Sequence, residues 1–553
     1  MERIWIKTYP AGIPADISIE HLESLVTLFE EACRKYADQV AYISMDREMT
    51  YGELDRLSRD FAGWLQSLGM VKGDRVALMM PNLLQYPVAL FGTLRAGCVV
   101  VNVNPLYTPR ELEHQLKDSG AKAIVIVENF AHTLEQVIGR TEVKNVIVTP
   151  MGDLLGMVKG ALVNFVVRHV KKMVPAWSLP GSININAALA AGRRHGMEPV
   201  KLSHEDLAFL QYTGGTTGVS KGAMLTHGNI ASNVMQAHAW IKPVVADGKE
   251  FIVTPLPLYH IFALTANCLT FLMIGARNLL IANPRDMAGF VKEWGKYPIS
   301  VATGVNTLFN GLLNHPDFAG LDFSTMKLSL GGGTAVQAPV ADRWQKVTRS
   351  PLLQAYGLTE TSPAATINPL DLKEFNGSIG LPISSTELSI RDDAGKELAI
   401  GEIGEICIRG PQVMAGYWQR PEETANVMYA DGFLRTGDMG YVDPLGFFFI
   451  VDRKKDMILV SGFNVYPNEI EEVVAMHEGV GDVAAIGVPD DNSGEAVKIF
   501  VVRKDPNLTP EEIIAHCRKH LTGYKVPKKV EFRDDLPRTN VGKILRRALK
   551  EGA

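Results

Sequence analysis

The feature that most constrains this chain is a repeated alternation of short apolar runs with helical patterns, from about residue 24 to residue 378. RVALMM, KAIVIV, NVIVT and EFIVTPL are apolar runs of strand length, whereas TPRELEHQLKDSG has helical spacing. Thr108 suits the N-cap of that helix, and Gly120 suits its C-terminal stop. The alternation predicts an α/β fold with buried, largely parallel sheets. Since the chain has 553 residues, we expect more than one domain.

The pattern changes near residue 377. Up to residue 450, strands such as ELSIRD and GEICIRG alternate with the turns DDAGK, ADG and DPLG, which predicts an antiparallel meander or a small barrel. After residue 452, the strands DVAAIGV and AVKIFVVRK and the helix TPEEIIAHCRKHL indicate a separate small α/β domain. The charged segment VDRKKDM between apolar strands is the natural boundary.

Composition excludes several classes of protein. The formal net charge of -5 and the 21% of charged residues give no electrostatic footprint for nucleic acid. The five cysteines form no C-x-x-C pair, which argues against a disulfide framework or a zinc site and fits a reducing cytosol; they are Cys33, Cys98, Cys268, Cys407 and Cys517. The start, MERIWIKTYPAG, lacks the apolar region of a secretory signal. We therefore expect a cytoplasmic protein.

The longest apolar stretch is IFALTANCLTFLMIGA, residues 261–276. It is shorter than the ~20 residues that a membrane-spanning helix needs, and it contains Asn267. Two interpretations remain open: a buried core helix, or one wall of an apolar ligand tunnel.

The stretch QYTGGTTGVSKGAML, residues 211–225, is dense in glycine and small hydroxyl side chains. A kinase or GTPase P-loop requires lysine directly after the last glycine, but two residues separate Gly218 from Lys221. The glycines still allow backbone N–H groups to curl around an anion, and Lys221 adds a positive charge. On its own the loop is equally compatible with a surface turn.

Four further motifs follow the loop. In order along the chain they are YGLTE (356–360, after the triple glycine 331–333), LRTGD (434–438), DRKKD (452–456) and PRTNVGKILRR (537–547). In this order and spacing the chain resembles the ATP-dependent adenylate-forming enzymes, which include acyl-CoA synthetases, luciferases and peptide-synthetase adenylation domains. DGFLRTGDMGYVDPLGFFFIVDRKK resembles the extended signature of fatty acyl-CoA synthetases. Over essentially its full length the chain is similar to bacterial long-chain fatty-acid–CoA ligases.

The resemblance implies an architecture. It consists of a large N-terminal domain at residues 1–452, built from two α/β sheet subdomains and a β-barrel-like subdomain at about 377–450. A mobile C-terminal α/β domain follows at 456–553. The hinge lies near 453–455, with Lys455 at the hinge position.

The implied reaction converts a long-chain fatty acid, ATP and CoA into acyl-CoA, AMP and pyrophosphate through an acyl-adenylate, and it feeds fatty acid degradation. The acid needs no general base, because carboxyl groups titrate near ~4 and are ionised at pH 7. The enzyme has to position the reactants and neutralise charge. The alternative is a fatty acyl-AMP ligase that transfers the acyl group to a carrier protein.

The family's nucleotide site maps onto the motifs residue by residue. The glycine-rich loop would hold the β- and γ-phosphates of ATP, which leave as pyrophosphate. Tyr356 would flank adenine, Asp438 would accept from the ribose hydroxyls, and Arg453 would donate to the ribose or a phosphate. Glu360 would bind Mg²⁺, with Thr213 a weaker candidate. The implied ATP- and AMP-binding residues are Thr213, Gly214, Gly215, Thr216, Thr217, Gly218, Lys221, Gly331, Gly332, Gly333, Tyr356, Gly357, Thr359, Glu360, Asp438, Arg453 and Lys543.

The implied catalytic residues are Lys543, Lys221 and His260. Lys543 would reach the α-phosphate and the substrate carboxylate, where such preorganised charge is effective. His260 would lie near that carboxylate. Some relatives carry a tryptophan gate just downstream, but Ile261 follows here and no tryptophan occupies the next positions. For the CoA step the small domain would rotate, which would bring Gly462 to the thiol channel.

One segment, residues 153–175, belongs to no shared motif. Its apolar residues recur at helical spacing, and four basic residues lie among them: Lys159, Arg168, Lys171 and Lys172. A basic amphipathic helix can lie on a membrane surface. The two interpretations are peripheral contact with the inner membrane and a helix docked on the large domain. Oligomeric state stays open between a monomer and a homodimer.

Overall fold

The computed structural model describes residues 2–213, 220–461, 463–490, 493–539 and 542–551. The α-helices are Leu25–Lys35, Tyr51–Ser67, Gln85–Arg95, Pro109–Ser119, Ala131–Glu135, Met157–Phe165, Ile185–His195, His227–Ile241, Phe271–Met273, Met287–Trp294, Asn306–Asn314, Ala338–Thr348, Pro421–Val427, Pro467–Ala475, Pro510–His520 and Arg546–Lys550. Two π-helices span Val166–Val170 and Ala263–Thr270. Short 3₁₀ turns are Ile4–Thr8, Glu128–Phe130, Ile138–Arg140, Phe318–Gly320, Thr359–Thr361 and Gly523–Lys525.

The first sheet has nine strands. In spatial order they are Leu381–Pro382, Ala364–Ile367, Leu352–Gly357, Leu328–Gly331, Val301–Gly304, Phe251–Thr254, Arg277–Leu280, Val40–Ser44 and Arg47–Thr50. The central pairings are parallel, and antiparallel strands flank both ends. The central strands are largely buried, as expected for strands with both faces covered. Most of their side chains are apolar, and the buried polar ones include Thr254, Asn278, Thr303 and Ser329.

The second sheet has eight strands. In spatial order they are Gly416–Tyr417, Lys221–Thr226, Leu207–Thr213, Val99–Asn102, Arg75–Met79, Ala123–Val127, Asn145–Thr149 and Ile183–Asn184. Its core pairings are parallel, whereas Leu207–Thr213 and Lys221–Thr226 form an antiparallel pair. One large apolar cluster packs side chains of both sheets together with the helices between them. The predicted layered α/β fold is therefore confirmed.

Two smaller sheets follow in the described part of the chain. The third sheet is antiparallel, with strands Glu387–Arg391, Gly404–Arg409, Leu434–Val442 and Phe448–Arg453. The fourth has strands Phe463–Val465, Ile458–Val460, Gly494–Arg503, Val480–Asp490 and Lys529–Arg533. This last sheet has its own apolar core with the helices Pro467–Ala475 and Pro510–His520. The C-terminal part therefore packs around a centre of its own.

Local signals in the sequence explain individual elements. The helix Pro109–Ser119 begins with a capping box, in which the Thr108 side chain and the Glu111 carboxylate bond each other's backbone N–H. It ends at Gly120, whose φ of 60° is left-handed. The apolar stretch 261–276 is a buried helix of π and α turns. Among the described residues, no helix is long and apolar enough to cross a membrane.

Candidate active site

The candidate site lies where three parallel strands of the first sheet end. Val301–Gly304, Leu328–Gly331 and Leu352–Gly357 run side by side in register, and the Gly332 amide donates to the Gly304 carbonyl (3.1 Å). Ligands of open α/β sheets commonly bind at the carboxyl ends of the strands. The triple glycine 331–333 and Tyr356 therefore meet at one edge, although they lie apart in the sequence.

A cavity of about 880 Å³, including the part open to solvent, begins at this edge. Its lining includes His260, Gly333, Tyr356 and Lys543, and the lining surface is mostly apolar. One wall is the π-helix Ala263–Thr270. The other wall side chains include Ala237, Ile241, Phe271, Leu328, Leu330 and Ile367. The stretch 261–276 is thus both a buried helix and a cavity wall.

Glycine at two positions lets the backbone approach closely. A Cβ atom on Gly357 would lie 1.8 Å from the Pro363 carbonyl oxygen, so no side chain fits there. Gly333 has φ of 76°, which an L-residue adopts only with strain. Both glycines line the cavity together with Thr359.

Lys543 comes from the C-terminal domain. Its carbonyl accepts a hydrogen bond from the Thr539 amide (2.7 Å). Gly542 fits closely against Thr307 of the large domain, where a Cβ would lie 2.8 Å from Oγ1. Burial, followed by the nearby Arg453 charge, lowers the pKa of Lys543 to about 8, against the opposing pull of Asp438 and Glu360. The ammonium therefore lies within the field of the predicted nucleotide-binding charges.

His260 lines the same cavity as Lys543. Its Nδ1 accepts a hydrogen bond from the Phe262 amide (3.3 Å). Burial and the charge of Lys543 lower the pKa of His260 to about 3. The imidazole is therefore neutral at pH 7, and the ring proton belongs on Nε2.

Asp438, Arg453 and Tyr356 form one hydrogen-bonded group. Asp438 and Arg453 are cross-strand partners, and Arg453 Nε lies 3.0 Å from Asp438 Oδ1. The Tyr356 hydroxyl donates to Asp438 Oδ2 (2.6 Å). Asp438 is 3% exposed, and its charge raises the pKa of Arg453. The tyrosine ring is thus oriented by the carboxylate that is predicted to bind ribose.

Glu360 and Lys221 belong to a second group, which includes two residues that the motifs do not mark. The Tyr417 hydroxyl donates to Glu360 Oε1 (2.8 Å). Lys221 forms an ion pair with Glu423 and lies 5.3 Å from the centre of the Tyr417 ring. No local pattern identifies Tyr417 or Glu423, because their partners lie far away in the chain. Burial raises the pKa of Tyr417 far above its usual range, so it stays a donor.

Thr213 and Lys221 face each other across the antiparallel pair that flanks the glycine-rich loop. The predicted loop residues Gly214, Gly215, Thr216, Thr217 and Gly218 lie outside the described residues, and so does Gly462 of the predicted CoA channel. Lys455 is exposed in a turn where the Asp456 amide donates to the Arg453 carbonyl (3.0 Å). That turn joins the third sheet to the fourth, which is where the hinge is predicted.

Two α/β sheets, an antiparallel subdomain and a small domain that contributes a lysine to the cavity lining make up the fold of the adenylate-forming enzymes. The chain belongs to the family of AMP-binding enzymes, whose main domain matches residues 29–418. The AMP-binding enzyme C-terminal domain matches residues 469–543.

Particular relatives are similar over the whole chain. The long-chain-fatty-acid–CoA ligase of Yersinia pestis is 60% identical over 552 residues, covering 100% of this chain and 98% of that protein. The crystal structure of ATP-bound MatB from Rhodopseudomonas palustris is 29% identical, with a TM-score of 0.79, covering 95% of this chain and 98% of that one. Anthranilate CoA ligase AuaEII in complex with anthranoyl-AMP has a TM-score of 0.85 at 24% identity, covering 98% of each chain; this likeness concerns the fold alone.

Proposed function

We propose that this protein is a long-chain fatty-acid–CoA ligase. It joins a fatty acid to CoA at the expense of ATP, through an acyl-adenylate, and releases AMP and pyrophosphate. The observation that carries this proposal is the mostly apolar cavity whose lining includes Lys543 and a neutral His260. An alkyl chain gains about 0.8 kcal/mol for each CH₂ group that it buries. The 60% identity to a long-chain-fatty-acid–CoA ligase supports the same substrate class.

In the first half-reaction the acid carboxylate attacks the α-phosphate of ATP. Lys543 neutralises the charge that grows on the phosphate and the carboxylate. Because His260 is neutral, it carries no positive charge that would compete with Lys543 for the carboxylate. Tyr356 and Asp438 orient the adenosine, and Arg453 donates to the ribose or a phosphate.

Lys221, Thr213 and the loop between them are proposed to hold the departing pyrophosphate. Glu360 fits the role of a magnesium ligand, since Mg²⁺ commonly takes one or two carboxylates together with phosphate oxygens. Tyr417 fixes this carboxylate by its hydrogen bond. Of the residues that the structure describes, no three His, Cys, Asp or Glu side chains gather closely enough to hold a metal ion on their own. A bound Mg²⁺ would offset phosphate charge at this place.

The second half-reaction needs the lysine to leave. The CoA thiolate attacks the acyl-adenylate carbonyl, and AMP departs. We infer that the small domain rotates about 453–455, withdrawing Lys543 and bringing the segment around Gly462 to the site. The exposed turn at Lys455 supports a pivot there.

A substrate series tests the proposal. Pyrophosphate release with CoA present should be fast for long-chain acids and slow for short and aromatic acids, because only long chains fill the apolar cavity. Trapping the product as acyl-CoA without carrier protein separates this function from the fatty acyl-AMP ligase. Preference for benzoate over long chains would contradict the assignment.

We also propose that the protein works partly at the cytoplasmic face of the membrane, through residues 157–173. The helix Met157–Phe165 turns its apolar side chains outward, with Met157 94% and Val158 85% exposed. The other exposed apolar residues there are Leu162, Phe165, Val170 and Met173. Such a patch on a helix that also carries basic residues suits an anionic bilayer, where long-chain acids partition.

The contacts of the four basic residues refine this picture. Lys159 pairs with Asp46 (3.4 Å) and Arg168 pairs with buried Glu128 (2.6 Å), so these two tie the helix to the protein. Lys171 and Lys172 are exposed. We expect them to contact lipid headgroups, each contributing about 1 kcal/mol. Reversible binding follows, not permanent anchoring.

Co-sedimentation with phosphatidylglycerol-containing vesicles tests the contact. The double variant Val158→Ser/Phe165→Ser should lose vesicle binding and keep its activity on detergent-dispersed acid. Val71→Ser removes an exposed valine elsewhere and should bind like the parent. Equal sedimentation of all three proteins would show that the helix is only docked on the large domain.

A further inference from the structure

Asp452 is the last residue before the predicted hinge, and its side chain is 0% exposed. Oδ1 accepts from the Arg453 amide (2.6 Å), and Oδ2 accepts from the Asn468 amide (2.7 Å). Burial raises the pKa of this carboxyl. A carboxylate withdrawn from water is costly unless charge and hydrogen bonds compensate it.

Arg546 provides the compensating charge. It lies three residues beyond Lys543, and its Nη1 is 3.6 Å from Asp452 Oδ1. The same guanidinium donates to Glu471 (2.9 Å) and to the Asn468 side chain (2.8 Å). Arg546 therefore joins the tail that carries Lys543 to the helix Pro467–Ala475 and to Asp452.

These contacts cross the hinge. Asp452 belongs to the large domain, whereas Asn468 and Arg546 belong to the small domain. The Asn468 side chain also donates to the Val451 carbonyl (3.4 Å) on the large-domain side. A rotation about 453–455 moves Asn468 and Arg546 away from the large domain, so it has to break their contacts with Asp452 and with the Val451 carbonyl. Asp456 also faces Arg546 (3.5 Å), but it lies on the small-domain side and moves with it.

We propose that Asp452 is a latch: a positioning residue that binds Asn468 and Arg546 and thereby favours the arrangement with Lys543 in the active site. The latch opens when the small domain rotates for the CoA step. This inference rests on the proposed two-step ligase and its hinge. Asp452 touches no substrate, so its loss changes the balance between the two half-reactions.

The variant Asp452→Asn tests the latch because it keeps the side-chain shape and removes the charge that faces Arg546. Adenylation is measured by ATP–pyrophosphate exchange, and thioester formation is measured from supplied acyl-adenylate. If each step needs its own domain arrangement, the rate of adenylation divided by the rate of thioester formation follows the populations of the two arrangements. We expect this ratio to fall about tenfold, equal to about 1.4 kcal/mol. Asp456→Asn, with the same charge change beside the same arginine, should keep the parent ratio.

A second measurement does not depend on activity. All five native cysteines are buried, so dyes can be attached selectively at Val71→Cys and Lys550→Cys, one on each domain. Without ligands, Asp452→Asn should shift the distribution of energy transfer and Asp456→Asn should not.

A parent-like rate ratio in Asp452→Asn would overturn the latch, and so would equal loss of both half-reactions together with a lower melting temperature. The failure of the proposed function looks different. In that case the parent forms no acyl-CoA, while the dye pair still reports whether Asp452 controls the domain arrangement.

Discussion

At the scale of single residues, the main feature of the site is a group of charged side chains that are partly shielded from water. Lys543 lines a mostly apolar cavity, and burial together with the charge of Arg453 lowers its pKa to about 8. Asp438 and Glu360 partly offset this effect. In the mechanism that we propose, the phosphate charge of the substrate would stabilise the charged form of this lysine.

Lys543→Ala should lower the rate of adenylation by about 10²–10³, because one preorganised donor to the developing charge is lost. Thioester formation from supplied acyl-adenylate should change by no more than a few-fold. Both half-reactions are measured on the same preparation. Lys550→Ala, an exposed lysine of the terminal helix, serves as the control. Equal loss in both half-reactions would assign Lys543 a merely structural role.

The pH dependence of adenylation follows from the same residue. Lys543 must be charged to act, and its pKa of about 8 lies below the usual ~10.4. The value of kcat/KM for ATP should therefore be level below pH 8 and fall about tenfold per unit above it, since kcat/KM reports the free enzyme. In Lys543→Arg the residual activity should lack this alkaline limb, because arginine keeps its charge. If kcat/KM of that variant still falls at the same pH, the alkaline limb belongs to a titrating group other than Lys543.

At the scale of elements, the helix Met157–Phe165 has an unusual orientation. Surface helices usually bury their apolar face, but this one exposes it. Gly160 lies against Gly152, where a Cβ would be 2.5 Å from the Gly152 carbonyl oxygen. The Asn164 side chain accepts from the Gly152 amide (2.7 Å). Small and polar groups thus face the protein, and the apolar face is left for another surface.

Glu128→Ala should release this helix and the following turn, residues 157–170. Charged hydrogen bonds contribute about 1.5 kcal/mol or more, less here because Arg168 is half-exposed, so we expect amide hydrogen exchange of the segment to rise about tenfold. Exchange in the strands of the second sheet should not change. Glu113→Ala breaks an exposed pair with Arg140 and should leave the segment as it is. Unchanged exchange in residues 157–170 would mean that the glycine contact alone holds the helix.

At the scale of the whole molecule, the mechanism that we propose requires two arrangements of the same domains, one for each half-reaction. The described arrangement has Lys543 in the site and Gly542 against Thr307. It therefore suits adenylation. The turn at 453–457 has to change its dihedral angles to reach the other arrangement.

Lys455→Pro should leave adenylation near the parent rate and reduce thioester formation by at least about tenfold, with acyl-adenylate accumulating. Proline fixes φ near −65° and also restricts the residue before it, Lys454, so the pivot stiffens. Lys455→Ala keeps the backbone freedom and should form acyl-CoA normally. If thioester formation from acyl-adenylate stays normal in the proline variant, the hinge lies elsewhere.

Much of the fold could be predicted from local sequence. The runs at 75–79, 123–127, 145–149 and 251–254 are strands as expected, because continuous apolar runs of this length suit buried parallel strands. Thr108 and Gly120 bound their helix, since capping depends on neighbours within a few residues. The candidate site was predicted only as far as motifs reach. The motifs did not predict Tyr417, Glu423 or the latch at Asp452, because the partners of each residue come from distant segments of the chain.

The sequence by itself determined the element types, the order of the sheets' strands along the chain, and the motif residues, since periodicity, capping and spacing are local properties. The tertiary structure alone decided which of these residues share a site and which face of a helix is exposed. For the segment 153–175, periodicity predicts an amphipathic helix but not which of its faces packs against the protein. The packed face is set by the close contact of Gly160 with Gly152 and by the ion pair of Arg168 with buried Glu128. Close backbone contact and charge pairing here outweigh the burial of a few apolar side chains.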